Sequence, residues 1–179
     1  MKTDTVFRKM EKLDGFMSMK RGGTDATVKA LEVDFFGAAI TADVTPNDVK
    51  SLQSEMGLTF PEDYLSFLIK YGFALFDGAI IFGIAPVVGI EKKSFDFSVS
   101  RQTQSAKDEK PDDLGFIHAV KDGAVVGTDD SGGYYILFAT SSAHSGKVSH
   151  IKHDSQWLEV DSWPSFTHYL KHCIENADM

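Results

Sequence analysis

Apolar residues recur first at helical and later at strand-like spacing along the chain. Val6, Phe7, Met10, Leu13 and Met17 are separated by Lys and Glu, which predicts an amphipathic N-terminal helix continuing through Gly15. Arg21-Gly22-Gly23-Thr24 reads as a break. Residues 24–44 fit two patterns: Leu31, Val33 and Phe35 alternate with polar positions as a strand does, whereas 38–42 suits either element. From Thr45 the pattern is sharper. Thr45-Pro46 with Asp48 three residues after the threonine has the form of a helix start, a proline in the first turn and a carboxylate near the cap. Val49, Leu52 and Met56 mark the buried face of that helix, and Gly57 ends it. Pro61 opens a second helix, filled by Tyr64, Leu65, Phe67, Leu68 and Tyr71 and closed by Gly72.

Strand-like runs follow at 79–83 and 87–90, then a polar segment, 98–113, that is a helix or a mobile surface excursion. Three further apolar runs, 116–120, 124–126 and 134–138, are separated by the turn sequences Lys121-Asp122-Gly123 and Asp129-Asp130-Ser131-Gly132-Gly133. Another strand is predicted over 147–151. Ser162-Trp163-Pro164-Ser165 then opens a C-terminal helix with Phe166, Tyr169, Leu170 and Cys173 at its apolar positions. Consecutive strands with short turns form antiparallel sheets. The expected fold is therefore α+β: one domain over 1–179, with a twisted antiparallel sheet that leaves room for a mixed pairing and helices mainly on one face.

Composition narrows the function. A chain of 179 residues buries roughly 70% of the surface exposed on unfolding, so it needs no metal or disulfide to fold. Fourteen Phe residues predict an aromatic-rich core. A net charge of −8 argues against nucleic-acid binding, which needs clustered Lys and Arg, and favours either plain solubility or a basic partner. The lone Cys173 has no internal disulfide partner, and the first residues lack an apolar leader, which points to a reducing cytoplasm. The most apolar stretch, 73–90, is interrupted by Asp77, three glycines and Pro86, a poor membrane span.

Two constellations resemble enzyme chemistry. Asp130-Ser131-Gly132-Gly133 looks like a protease nucleophile loop, but only His118 precedes Ser131, by thirteen residues, where that architecture needs a distant base. His150, His153, Asp154 and His144 offer metal-ligand types, yet a His-x-x-His on a strand-to-turn segment does not converge both rings, and no further ligand pair closes the site. There is no phosphate-binding or dinucleotide glycine motif. The residues give no support to an enzyme, a cofactor or a metal. The remaining feature is a loop on a sheet, where recognition residues tend to lie. Asp129, Asp130, Tyr134, Tyr135 and Asp154 are the candidate partner-binding residues, read as exposed acids and phenols suited to a basic surface.

The same segments carry a family resemblance. The run Leu58-Thr59-Phe60-Pro61-Glu62-Asp63-Tyr64-Leu65-Ser66-Phe67-Leu68, followed by Tyr71-Gly72, resembles the Pro-x-x-Tyr-x-x-Phe-Leu pattern of the SUKH superfamily, which includes the Smi/Knr cell-wall-assembly regulators. Three later features follow in the family's order. These are Asp129-Asp130-Ser131-Gly132-Gly133-Tyr134-Tyr135, the stretch Gly146-Lys147-Val148-Ser149-His150 with His153-Asp154, and the closing helix from Ser162 to Leu170. Together they cover 45–173; residues 1–44 fit less well, and Trp163-Pro164 replaces the usual acidic pair. The resemblance implies a non-enzymatic binding protein. Bacterial members bind and block a cognate toxin, often a nuclease, and eukaryotic members act as regulatory or scaffold proteins. Pro61, Tyr64, Phe67, Leu68, Gly72, Gly132 and Gly133 are expected to serve the fold: Pro61 starts its helix, and the two turn glycines supply special dihedrals.

Overall fold

A computed structural model describes residues 2–12, 17–18, 38–39, 44–76, 79–84, 87–89, 94–95, 98–109, 120–129, 131–152 and 158–177. Five helices are described: α1 (Thr3–Met10), α2 (Pro46–Met56), α3 (Glu62–Tyr71), α4 (Val99–Glu109) and α5 (Phe166–Ala177). The strands are β1 (Met17–Ser18), β2 (Ala38–Ala39), β3 (Ala74–Phe76), β4 (Ala79–Ile81), β5 (Val87–Gly89) and β6 (Ser94–Phe95), then β7 (Gly123–Asp129), β8 (Tyr134–Phe138), β9 (Val148–Lys152) and β10 (Leu158–Trp163). Seven of them form an antiparallel sheet in the order β1-β3-β4-β7-β8-β9-β10; β2-β5-β6 form a smaller one. This is the expected α+β fold. Every described strand pairing is antiparallel, and the parallel element is an isolated bridge between Gly83 and Ser98.

The helix pair forms as its sequence dictates. The Thr45 N–H and hydroxyl donate to Asp48 Oδ2 at 2.8 and 2.6 Å, and the Asp48 N–H donates back to Thr45 Oγ1 at 3.3 Å, a reciprocal cap. Gly57 ends α2 at φ 65°. Pro61 stands one place earlier than expected, as the N-cap of α3 with extended backbone. The carboxylate two residues on does the capping elsewhere: the Thr167 N–H and hydroxyl both donate to Asp63 Oδ2 at 2.8 Å. Asp63 thus satisfies the first turn of α5 across the core and fixes how α3 and α5 meet.

The core between α1, α3 and α5 is aromatic. Tyr64, Phe67, Phe166 and Tyr169 are fully buried, and Phe7 meets Tyr71 edge-on at 5.2 Å. Phe166 packs 4.8 Å from Tyr64 and 5.2 Å from Phe67. The Tyr64 hydroxyl donates to the Phe82 carbonyl at 3.2 Å, so its polar end costs little on burial. Cys173, one turn beyond Tyr169, is buried with its thiol pushed up to about 12 by that burial.

Several expectations are corrected. The N-terminal helix stops at Met10, and Met17 lies in β1 opposite Leu75; a helix through Gly15 would carry glycine's entropic cost. The 98–113 segment is the helix α4 as far as Glu109. Val120, expected to end a strand, has helical backbone; the rest of that run lies outside the described residues, as does most of 24–44. Ser162 and Trp163 belong to β10, an edge strand the sequence reading lacks, so the last helix begins at Phe166. No helix among the described residues is long and apolar enough to cross a membrane.

Candidate functional site

The β7–β8 turn is tied together by one carboxylate. Asp129 Oδ1 accepts from the Ser131 N–H and hydroxyl, both at 3.0 Å, and from the Gly133 N–H at 2.6 Å. Asp129 Oδ2 lies 2.9 Å from His150 Nε2 and 3.6 Å from Lys152 Nζ on β9. An Asp accepting from the residue two ahead is the ordinary chemistry of such a turn. Its reach to β9 is not local. Gly132 turns the chain at φ 82°. Gly133 acts through space: a Cβ there would stand 2.7 Å from His150 Nε2 and 2.9 Å from Asp129 Oδ2. The expectation that both glycines serve dihedrals is thus corrected for Gly133.

Burial by itself would raise the Asp129 carboxyl, but the Gly133 amide, the Ser131 hydroxyl and His150 together hold it below the usual carboxylate value. Burial pushes the His150 imidazole below its ordinary value, and Asp129 only partly opposes this. Near neutral pH the ring is therefore neutral and donates from Nε2 to the carboxylate. The ring also stacks on Tyr135 at 4.4 Å, and Tyr135 in turn packs 4.7 Å from Tyr169 of α5.

This arrangement changes the reading of the predicted binding residues. Asp129 has a side chain only 8% exposed, and Tyr135 is buried. Both were expected to be exposed, and both instead support the turn and the sheet, because the missing Cβ of Gly133 leaves room for the carboxylate to turn inward. Tyr134 is half-buried on β8. Asp130 and Asp154 lie outside the described residues. Among the described residues, Ser131 and His150 both bond Asp129, so the carboxylate sits between them instead of the base lying between nucleophile and acid; His118 lies outside the described residues. Among the described residues no group of three His, Cys, Asp or Glu side chains is placed to hold a metal ion.

The accessible chemistry lies one strand further, on β10. Tyr134, Ile151 and Glu159 stand in one row across β8, β9 and β10, and Leu158 is opposite Lys152. Leu158 is 65% and Val160 46% exposed, on the last strand of the sheet. Glu159 is held by the Lys147 ammonium at 2.8 Å and by the Ser149 hydroxyl; burial raises its carboxyl, and these two donors bring it below its usual value. The register shifts between Glu159 and Asp161, a bulge at Val160 that bends the edge and blunts continuous strand addition. The turn end of β9 and β10 therefore presents exposed aliphatic side chains beside Glu159, which Lys147 holds, and Asp161.

The family model described as SMI1-KNR4 cell-wall (SUKH_5) matches residues 32–175, from ahead of β2 through all but the end of α5. The chain belongs to this SUKH family. The match takes in α2, α3, the β7–β8 turn and β10 together, the segments that carry the aromatic core and the candidate surface. A comparison with curated proteins gives no match.

Proposed function

We propose that this SUKH protein is a cytoplasmic, non-enzymatic immunity protein that binds and neutralises a cognate basic toxin, of which a nuclease is the best chemical fit. Family membership supports a binding function of the Smi/Knr or toxin-immunity type. The observation that carries the docking face is the pairing on β10 of exposed Leu158 and Val160 with Glu159 and Asp161. A cationic groove built to hold phosphates meets an acidic rim around an apolar centre, the usual anatomy of a protein interface. The charge of −8 steers the encounter, and the aliphatic pair slows dissociation. Tyr134 lies in the same row as Glu159, while Asp129 and Tyr135 brace the adjoining strand β9 through His150. Asp130, next to Asp129 in the chain, and Asp154, two residues after β9, keep their proposed contact role.

Calorimetric titration with the toxin domain encoded alongside tests this reading. A stoichiometric complex is expected, weakened about 30-fold by Leu158→Arg, as for the loss of one central contact worth about 2 kcal/mol. Several weak partners in place of one tight toxin would instead identify a regulatory scaffold of the Smi/Knr type.

A further inference from the structure

A second surface has the opposite polarity. The end of α2, the outer face of α4 and the residues before β7 enclose a groove of about 460 Å³. Arg101, Lys107 and Lys121 line it, all exposed, and none makes an ion pair with a described residue. Among the described lining residues Glu55 is the one acid, so three cations face one carboxylate in a chain whose overall charge is −8. Asp108, the nearby acid on α4, is not part of the lining and already accepts from the Gln104 amide at 2.8 Å. The groove also has an apolar side, made by Met56, Leu58 and Val120, of which Val120 is fully buried. Its shape is held from beneath, where Thr103 accepts the Val125 N–H of β7 at 3.0 Å and fastens α4 to the sheet.

We infer that this groove binds an acidic peptide segment of a partner protein, one carrying an apolar side chain between carboxylates. Three cations without an ion-pair partner among the described residues, gathered in a concavity, concentrate anionic ligands, because the low-dielectric walls keep their field from dispersing into solvent. An inorganic phosphate satisfies the cations but leaves the partly exposed Met56 and Leu58 unused. A nucleic acid brings a long run of charge against a strongly acidic protein, which opposes it beyond the groove. A short acidic peptide uses both parts of the lining. The inference is independent of the toxin reading, since it rests on α2 and α4 and not on β10.

The test uses the full chain and a fluorescein-labelled peptide of alternating glutamate and leucine, followed by anisotropy at fixed ionic strength. Saturable binding is expected, weakened about tenfold or more by joint replacement of Arg101, Lys107 and Lys121 with Gln, as for the loss of several partly desolvated charge contacts. Joint replacement of Lys2, Lys9 and Lys12 with Gln removes the same charge at and beside α1 and is expected to leave binding unchanged. Circular dichroism confirms that each variant folds. Three results overturn the inference: no saturable binding, equal weakening by the two triple variants, or complete displacement by inorganic phosphate at the peptide's own concentration. An oligonucleotide that binds more tightly than the peptide also overturns it, in favour of a nucleic-acid site.

Discussion

Helix α3 and the β7–β8 turn both lie within the family match, yet different forces hold them. In α3 the matched residues Tyr64, Phe67 and Leu68 are fully buried against other apolar groups, and each contributes in proportion to the volume it fills. In the turn, one carboxylate serves the Ser131 amide and hydroxyl, the Gly133 amide, His150 and, at longer range, Lys152. The helix tolerates partial loss, whereas the turn is a network with a single hub, and removal of that hub strands several donors at once. A family can therefore vary its core by repacking, but the turn only as a set.

Four measurements sharpen this contrast. The largest effect is expected from Phe67→Ala, which should cost about 4 kcal/mol in denaturant unfolding by opening a cavity amid Phe7, Tyr64, Tyr71 and Phe166. Its pH dependence should match that of the unaltered protein. Asp129→Ala should cost about 3 kcal/mol, since buried donors lose their acceptor. Gly133→Ala should by itself reproduce most of that loss, about 2 kcal/mol, through steric displacement alone, and adding it to Asp129→Ala should change little further. A fully additive double variant would show that the glycine and the carboxylate do not act together.

The smallest effect is a pH slope. His150 binds its proton less readily folded than unfolded, so the unfolded chain takes up more protons as pH falls below 6.5, and stability drops through that window. Asp129 acts in the same direction below 3.8. Both contributions are present at neutral pH and lost in acid. His150→Gln should flatten the first limb of the stability curve, in an environment otherwise set by Asp129, Lys152 and Asp161. An unchanged slope would assign the acid sensitivity elsewhere.

The helix pair was legible in the sequence because its signals are local. Thr45, Pro46 and Asp48 make their cap within three residues, and Gly57 ends the helix beside it. The turn was legible as a turn, but the direction of Asp129 was not. That direction depends on His150, 21 residues away in sequence, and on the Cβ that Gly133 lacks. β10 does carry a strand signal: Leu158 and Val160 alternate with Glu159 and Asp161. Its apolar positions point to solvent, however, so no rule that looks for buried residues would select it. The basic groove is invisible in composition, because its three cations come from two segments of an acidic chain.

The only cysteine of the chain, Cys173, is sealed on the buried side of α5 with its thiol raised to about 12. Oxidants and alkylating reagents act on thiolates they can reach, and the folded protein offers them none here. The sulfur consequently becomes reactive only when α5 lifts from the aromatic core. Its labelling rate is a clock for that opening, built into the chain without any added probe.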